Sequence, residues 1–96
     1  MPKQRTDAEL IEMLTDSAGR FTRWPKKAKE RSLILQTLAT AFAPDTIYTE
    51  KQVNAILKER NTFGDHALLR RELFEGGYLT RNLDGTDYRV IPTSPA

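Results

Sequence analysis

The chemically most distinctive feature of the sequence is a cluster of positive charges. Six cations fall within twelve residues, and Glu30 is the only acid among them. The six cations are Arg20, Arg23, Lys26, Lys27, Lys29 and Arg31. They lie around the start of a predicted helix, where the helix dipole disfavours positive charge. An anionic partner such as nucleic-acid phosphate would relieve this repulsion. The alternative is a solvated face paired loosely with Glu9, Glu12 or Asp16.

Four further arginines could contact nucleic acid from the second half of the chain. Arg70 and Arg71 lie in the last predicted helix, where Arg71 could hydrogen-bond a guanine edge or a phosphate. Arg81 and Arg89 lie in a predicted hairpin and could straddle a phosphate backbone. The alternatives are an ion pair between Arg71 and Glu75, packing of Arg70 along the core edge, and pairing of the hairpin arginines with nearby aspartates.

Other chemistries find little support in the residue types. The sequence has no cysteine and one histidine, His66, and no serine stands in a nucleophile motif. Its glycines fall at predicted turns and form no phosphate-binding loop. We therefore expect a protein that is not an enzyme and holds no metal or cofactor.

Length and net charge further restrict the possible domain organisation and function. The 96 residues suffice for one small domain, and 15 Lys and Arg against 13 Asp and Glu give a net charge of only +2. Residues 1–31 hold eight cations and five anions, whereas residues 32–96 hold seven and eight. The positive excess therefore lies around the start of the second predicted helix and not on the helix that would read bases. This position favours contact with a phosphate backbone over base reading. There is no apolar run of membrane-spanning length and no signal peptide, so we expect a cytoplasmic protein without membrane contact.

The elements that must position these residues follow from caps and periodicity. Helices are predicted over residues 7–18, 26–42, 50–60 and 66–75. Thr6 and Thr49 begin capping boxes, and Asp65 is the predicted cap of the last helix. Gly19 and Pro44 are predicted to end the first two helices.

Extended segments are predicted at residues 47–48, 78–81 and 87–90, with a hairpin turn at Gly85. Leu73 should fill the core, Gly77 should make a left-handed turn, and Leu79 should return inward. Two helices, a short strand, two helices and a hairpin form the winged-helix order. The predicted fold is therefore α+β and mostly α: a winged helix, in which a helix-turn-helix precedes a two-stranded β-hairpin wing, with an extra N-terminal helix.

The predicted core and domain limits complete this interpretation. The core list is Leu10, Leu14, Ile34, Leu35, Leu38, Phe42, Val53, Ile56, Leu57, Leu69, Leu73, Leu79, Tyr88 and Val90. Residues 1–18 form an amphipathic helix that either completes this core or packs against a second copy. Residues 19–91 form the winged-helix domain, and residues 92–96 a disordered tail. Trp24 is expected to cover the core, although stacking on bases is the alternative.

Four segments together resemble a known family. They are residues 23–27 (RWPKK), 48–57 (YTEKQVNAIL), 69–73 (LRREL) and 84–88 (DGTDY). Over residues 19–90 the chain resembles the bacterial domain of unknown function 2087, whose members occur alone or appended to helix-turn-helix transcriptional regulators. The resemblance implies a small winged-helix-like fold and a regulatory context, and it implies no established chemistry.

The leading hypothesis is a nucleic-acid-binding module that contacts mainly phosphates of double-stranded DNA, as a transcription regulator or an accessory part of one. Its predicted contacts are Arg23, Lys26, Lys27, Lys29, Arg31, Arg70, Arg71, Arg81 and Arg89. The alternative is a protein-interaction module that uses the same scaffold without DNA, and a small-molecule sensor is a third hypothesis. A homodimer would place two reading helices on two half-sites.

Overall fold

The computed structural model of the protein describes residues 6–91, which fold into four helices and a small antiparallel sheet. The elements are α1 (Asp7–Leu14), α2 (Ala28–Ala39), β1 (Tyr48–Thr49), α3 (Glu50–Glu59), α4 (His66–Glu75), β2 (Leu79–Arg81) and β3 (Asp87–Val90). The fold is α+β and mostly helical, which confirms the predicted class. The predicted tail at 92–96 lies outside the described residues.

Local capping explains where three helices begin. The Thr6 hydroxyl accepts a hydrogen bond from the Glu9 backbone N–H, and the Glu9 carboxylate accepts one from the Thr6 N–H, both at 3.2 Å. Thr49 and Gln52 form the same box at the start of α3. The Asp65 carboxylate accepts from the Leu68 N–H at the start of α4. These side chains satisfy backbone donors that a helix start leaves unpaired.

The first helix is shorter than predicted, because it ends at Leu14 and not at Ala18. The Asp16 carboxylate accepts hydrogen bonds from the backbone N–H groups of Ala18 at 3.0 Å and Arg20 at 2.9 Å. The hydrogen bond from the Arg20 N–H, with others from the same turn, lowers the pKa of Asp16 below its ordinary value. This aspartate therefore closes a turn through local side-chain bonds that compete with helix continuation.

The second helix is also shorter than predicted at both ends. It begins at Ala28, after Lys27, which makes no side-chain cap hydrogen bond. Beyond Ala39 the backbone bonds span three residues, with the Phe42 N–H donating to the Ala39 carbonyl at 3.2 Å. Such tighter turns commonly finish a helix.

The three strands form one sheet in the order β1-β3-β2. The hairpin strands pair as predicted, with Leu79 opposite Val90, while Tyr48 of β1 lies opposite Tyr88. The short extended piece before α3 is thus the third strand of the sheet. Gly85 has a φ of +74° in the hairpin turn.

The core confirms eleven of the fourteen predicted positions. The other three predicted residues, Leu10, Ile56 and Val90, are half-buried, and Ile56 and Val90 pack against the core cluster from its outside. Phe21 and Leu33 are buried, with 2% and 6% exposed, and were not predicted. The confirmed residues are Leu14, Ile34, Leu35, Leu38, Phe42, Val53, Leu57, Leu69, Leu73, Leu79 and Tyr88.

The first helix completes the core of this domain. Leu14 belongs to the same cluster of buried side chains as Ile34 and Leu73, and Ile11 packs against that cluster. The Thr22 N–H donates to the Leu14 carbonyl at 3.0 Å, which ties the end of α1 to the loop that follows. Packing of α1 against a second copy, the other predicted role, stays a prediction.

The turn between α4 and β2 offers a test of backbone conformation. Gly77 has a φ of +82°, and no atom lies within 4 Å of the position that a Cβ would take. We expect Gly77→Ala to lower the free energy of unfolding by about 1–2 kcal/mol, because an L-residue is strained at this φ. Urea unfolding followed by circular dichroism measures it. Gly77→Asn should lose less, and an Ala variant as stable as the parent would contradict the prediction.

Candidate nucleic-acid interface

The loop that carries the basic cluster is fixed beside the turn between α3 and α4. The Phe21 N–H donates to the Arg60 carbonyl at 2.8 Å, and the Thr62 N–H donates to the Phe21 carbonyl at 2.8 Å. The buried Phe21 side chain anchors this loop in the core. Arg20 and Arg23 flank Phe21 closely along the chain, so this part of the cluster lies beside the α3–α4 turn.

Asn61 holds that turn and was not singled out from the sequence. Its side chain is buried; the amide donates to the Leu57 carbonyl at 2.7 Å and the amide oxygen accepts from the Gly64 N–H at 2.9 Å. Both bonds satisfy a buried polar group, as burial requires. An Asn directly after a helix and three residues before a glycine was the available sequence signal.

Two cations of the basic cluster are engaged within the fold. Arg20 Nε lies 3.0 Å from the Asp16 carboxylate. Arg31 Nε donates to the Pro25 carbonyl at 2.6 Å, and its guanidinium lies 5.4 Å from the centroid of the Trp24 ring. The structure thus places Arg31 as a support for the loop. Trp24 is half-buried and packs against the core, as predicted.

The other four cations of the cluster point outward. All four side chains are exposed, and none makes a hydrogen bond or ion pair with any residue between 6 and 91. They are Arg23, Lys26, Lys27 and Lys29. The expected pairing with acids of the first helix is therefore limited to Arg20 and Asp16. Within residues 6–91, these four charges near the start of α2 therefore have no ion-pair partner.

On α4 the two arginines differ in their surroundings. Arg70 is half-buried, donates from Nη1 to the Asn54 side-chain oxygen, and has its Nε 3.6 Å from a Glu50 carboxylate oxygen. The Tyr88 hydroxyl donates to the same Glu50 oxygen at 3.5 Å. Arg70 therefore joins α4 to α3 and β3. Arg71 is exposed and makes no ion pair in the described part of the chain.

The hairpin arginines lie on opposite faces of the sheet. Arg81 pairs with Tyr88 and Arg89 pairs with Thr80, and side chains alternate between faces along a strand. The Arg81 guanidinium lies 4.4 Å from the centroid of the Phe74 ring of α4. Arg89 is exposed without a polar partner among residues 6–91. The two arginines nevertheless both line one small pocket of about 240 Å³ at the hairpin, together with Asn82 and Asp87.

Asp84 forms its hydrogen bonds within the hairpin turn. The Thr86 hydroxyl donates to Asp84 at 2.8 Å, and this bond lowers the pKa of Asp84 below its ordinary value. The Asn82 side chain accepts from the backbone N–H groups of Thr86 and Asp87. The turn is thus held by local hydrogen bonds, and the predicted pairing of its aspartates with Arg81 and Arg89 is not observed.

A groove of about 510 Å³ separates α4 from the hairpin and brings three of the predicted arginines together. Arg70, Arg71 and Arg81 line it, but so do Asp65 and Glu75. The groove therefore carries charges of both signs. A phosphate near Arg71 would also meet the Glu75 carboxylate one helical turn away.

Residues 20–90 match the model of a family described as an uncharacterized protein conserved in bacteria, DUF2087. The chain belongs to this family. The matched DUF2087 region contains all nine predicted contact residues and leaves α1 outside. No curated protein and no solved structure matches the chain.

Among the described residues there is neither a cluster of metal-ligating side chains nor a helix that could cross a membrane. Within residues 6–91, no group of three or more His, Asp or Glu side chains is placed to hold a metal ion. None of the helices in this part of the chain has the length and apolar character needed to cross a membrane. His66 is half-buried at the first position of α4.

Proposed function

We propose that this DUF2087 protein is a nucleic-acid-binding winged-helix module that acts in the cytoplasm as a transcription regulator or an accessory part of one. It binds double-stranded DNA mainly through the phosphate backbone. The order of elements supports the winged-helix assignment, with α3 and α4 as the helix-turn-helix and β2 and β3 as the wing. In that arrangement α4 is the reading helix.

The observation that carries the proposal is a set of exposed cations in the loop before α2 that have no ion-pair partner among residues 6–91. Arg23, Lys26, Lys27 and Lys29 have no ion-pair partner among the described residues, and the hydrogen bonds of Phe21 hold their loop against the α3–α4 turn. Clustered cations without internal partners raise the electrostatic free energy of the free protein. Phosphates neutralise them and release counterions, which is the main source of non-specific affinity for DNA.

The surroundings of α4 favour backbone contact over base reading. Arg71 is its one exposed arginine, because the Arg70 donors face Asn54 and Glu50. A base-reading helix gains specificity from several side chains that reach base edges. With Glu75 lining the same groove as Arg71, phosphate contact by the basic cluster contributes more to affinity than α4 does.

A salt titration of binding to random duplex DNA tests the proposal. Four cluster cations together with Arg71 would neutralise five phosphates, so log K should fall against log salt with a slope of about −4 to −5. Fluorescence anisotropy of a labelled duplex measures this slope. No binding even at low salt would overturn the proposal. Competition with unlabelled DNA is the control that excludes binding to the dye.

A protein-interaction module is the second candidate, and two observations favour it. The groove beside α4 mixes Arg71 and Arg81 with Asp65 and Glu75, which suits a partner that carries both charges. Leu83 at the hairpin tip is fully exposed. If this candidate is correct, Leu83→Ser will weaken binding of the protein partner, and random duplex DNA will not bind.

A further inference from the structure

A cleft of about 720 Å³ lies between α1 and the loop that leads into α2. Half of its lining residues are apolar, among them Leu10 and Leu14 from α1 and Trp24 and Pro25 from the loop. This volume lies within the range of pockets that bind small molecules, which typically combine apolar walls with a few placed polar groups. The cleft is separate from the groove between α4 and the hairpin, with which it shares no lining residue.

The charged residues around this cleft are almost all positive. Arg23, Lys26, Lys27 and Lys29 line it together with the single acid Glu30. These are the four exposed cations that lack partners among residues 6–91. The start of α2 adds partial positive charge, because Lys27 makes no side-chain cap hydrogen bond there. The electrostatic complement of the cleft is therefore an anionic group.

The loop side of the cleft is held in place before any ligand arrives. Arg31 donates to the Pro25 carbonyl and stacks its guanidinium on the Trp24 ring. The Thr22 hydroxyl donates to the Leu14 carbonyl at 3.2 Å, which fixes the distance between the loop and α1. A wall ordered in the free protein lowers the entropic cost of binding.

We propose that this cleft binds an amphiphilic carboxylate, a small molecule with an apolar body and one acidic head. The apolar body packs against Leu10, Leu14 and Trp24, while the lysines at the edge hold the carboxylate. Charge-assisted hydrogen bonds from lysine to a carboxylate are among the stronger polar contacts in proteins. The inference does not depend on nucleic-acid binding, although DNA held by the same lysines would compete with the ligand.

Trp24 provides a direct readout, because it is the only tryptophan of the sequence and forms one wall of the cleft. Titration with decanoate should change the Trp24 fluorescence in a saturable way, because the alkyl chain of decanoate displaces water from the indole ring. Decyltrimethylammonium has the same alkyl chain with a positive head and is the matched control. It should bind at least about tenfold more weakly, because the edge of the cleft repels it. Equal affinity for both probes, or no saturable change, would overturn the proposal.

Two double variants test whether the lysines at the cleft hold the carboxylate of decanoate. Lys26→Gln with Lys29→Gln should weaken decanoate binding about tenfold, the usual effect of losing a charge-assisted contact. Lys51→Gln with Lys58→Gln removes the same charge from exposed positions of α3 and should leave the affinity unchanged. An equal loss of decanoate affinity in both double variants would show a long-range charge effect and would contradict binding in this cleft. DNA binding, measured separately by anisotropy, can fail without affecting this result.

Discussion

Reversing three charges of the basic cluster should abolish binding to duplex DNA. The variant Lys26→Glu, Lys27→Glu, Lys29→Glu replaces three exposed cations, which lack partners in the described part of the chain, with acids. Each acid not only loses a phosphate contact but also repels the backbone, so we expect a loss of more than about a hundredfold at low salt. The remaining binding should show a flatter salt dependence, because fewer counterions are released. Fluorescence anisotropy of a labelled random duplex gives both quantities.

The same variant separates binding from folding. Acids near the start of α2 interact favourably with the helix dipole, so the thermal midpoint should not fall. A single-charge comparison controls for net charge: Lys27→Glu should weaken binding far more than Lys58→Glu, which lies near the end of α3. Unchanged affinity and salt slope in the triple variant would remove the basic cluster from the interface.

The second large effect is expected from Phe21→Ala, which should lower the free energy of unfolding by about 3–5 kcal/mol. The Phe21 ring has 2% of its surface exposed and belongs to the main core cluster. Its removal leaves a cavity where the α1–α2 loop is hydrogen-bonded to Arg60 and Thr62. Urea unfolding followed by circular dichroism measures the loss, which is large against the stability of a small domain.

Phe63→Ala provides the comparison for Phe21, because Phe63 is half-buried and only packs against the edge of the same cluster. Phe63→Ala should lower the free energy of unfolding by less than half as much as Phe21→Ala, since Phe63 buries less apolar surface on folding. A loss below about 1 kcal/mol for Phe21→Ala would show that the loop is not part of the cooperative core. The loop of the basic cluster would then lack the side chain that anchors it beside the α3–α4 turn.

Features that depend on neighbours along the chain were predictable. The capping boxes at Thr6 and Thr49 and the Asp65 cap form from residues three apart, so their pattern is visible before folding. The left-handed Gly77 and the hairpin turn at Gly85 are equally local. Periodic leucines likewise marked most of the buried helix faces, because helix geometry sets which positions share a face.

The roles of the charged residues were less predictable. All nine candidate contacts carry the same kind of charge, and composition cannot distinguish a solvated cation from an engaged one. In the structure Arg31 supports Trp24, Arg70 joins Asn54 and Glu50, and Arg81 packs on Phe74. These contacts join residues of different elements or of a non-helical loop, where no periodic rule applies.

The element order and the starts of α1, α3 and α4 could be predicted from the sequence, because short-range sterics and hydrogen bonding decide them. The packing of the whole core decided that Phe21 holds the loop of the basic cluster against the α3–α4 turn and that β1 pairs with β3. It also decided which cations lack partners among residues 6–91, and four of these line one cleft together with apolar side chains of α1. Such contacts bring together distant segments whose meeting depends on how the whole core packs.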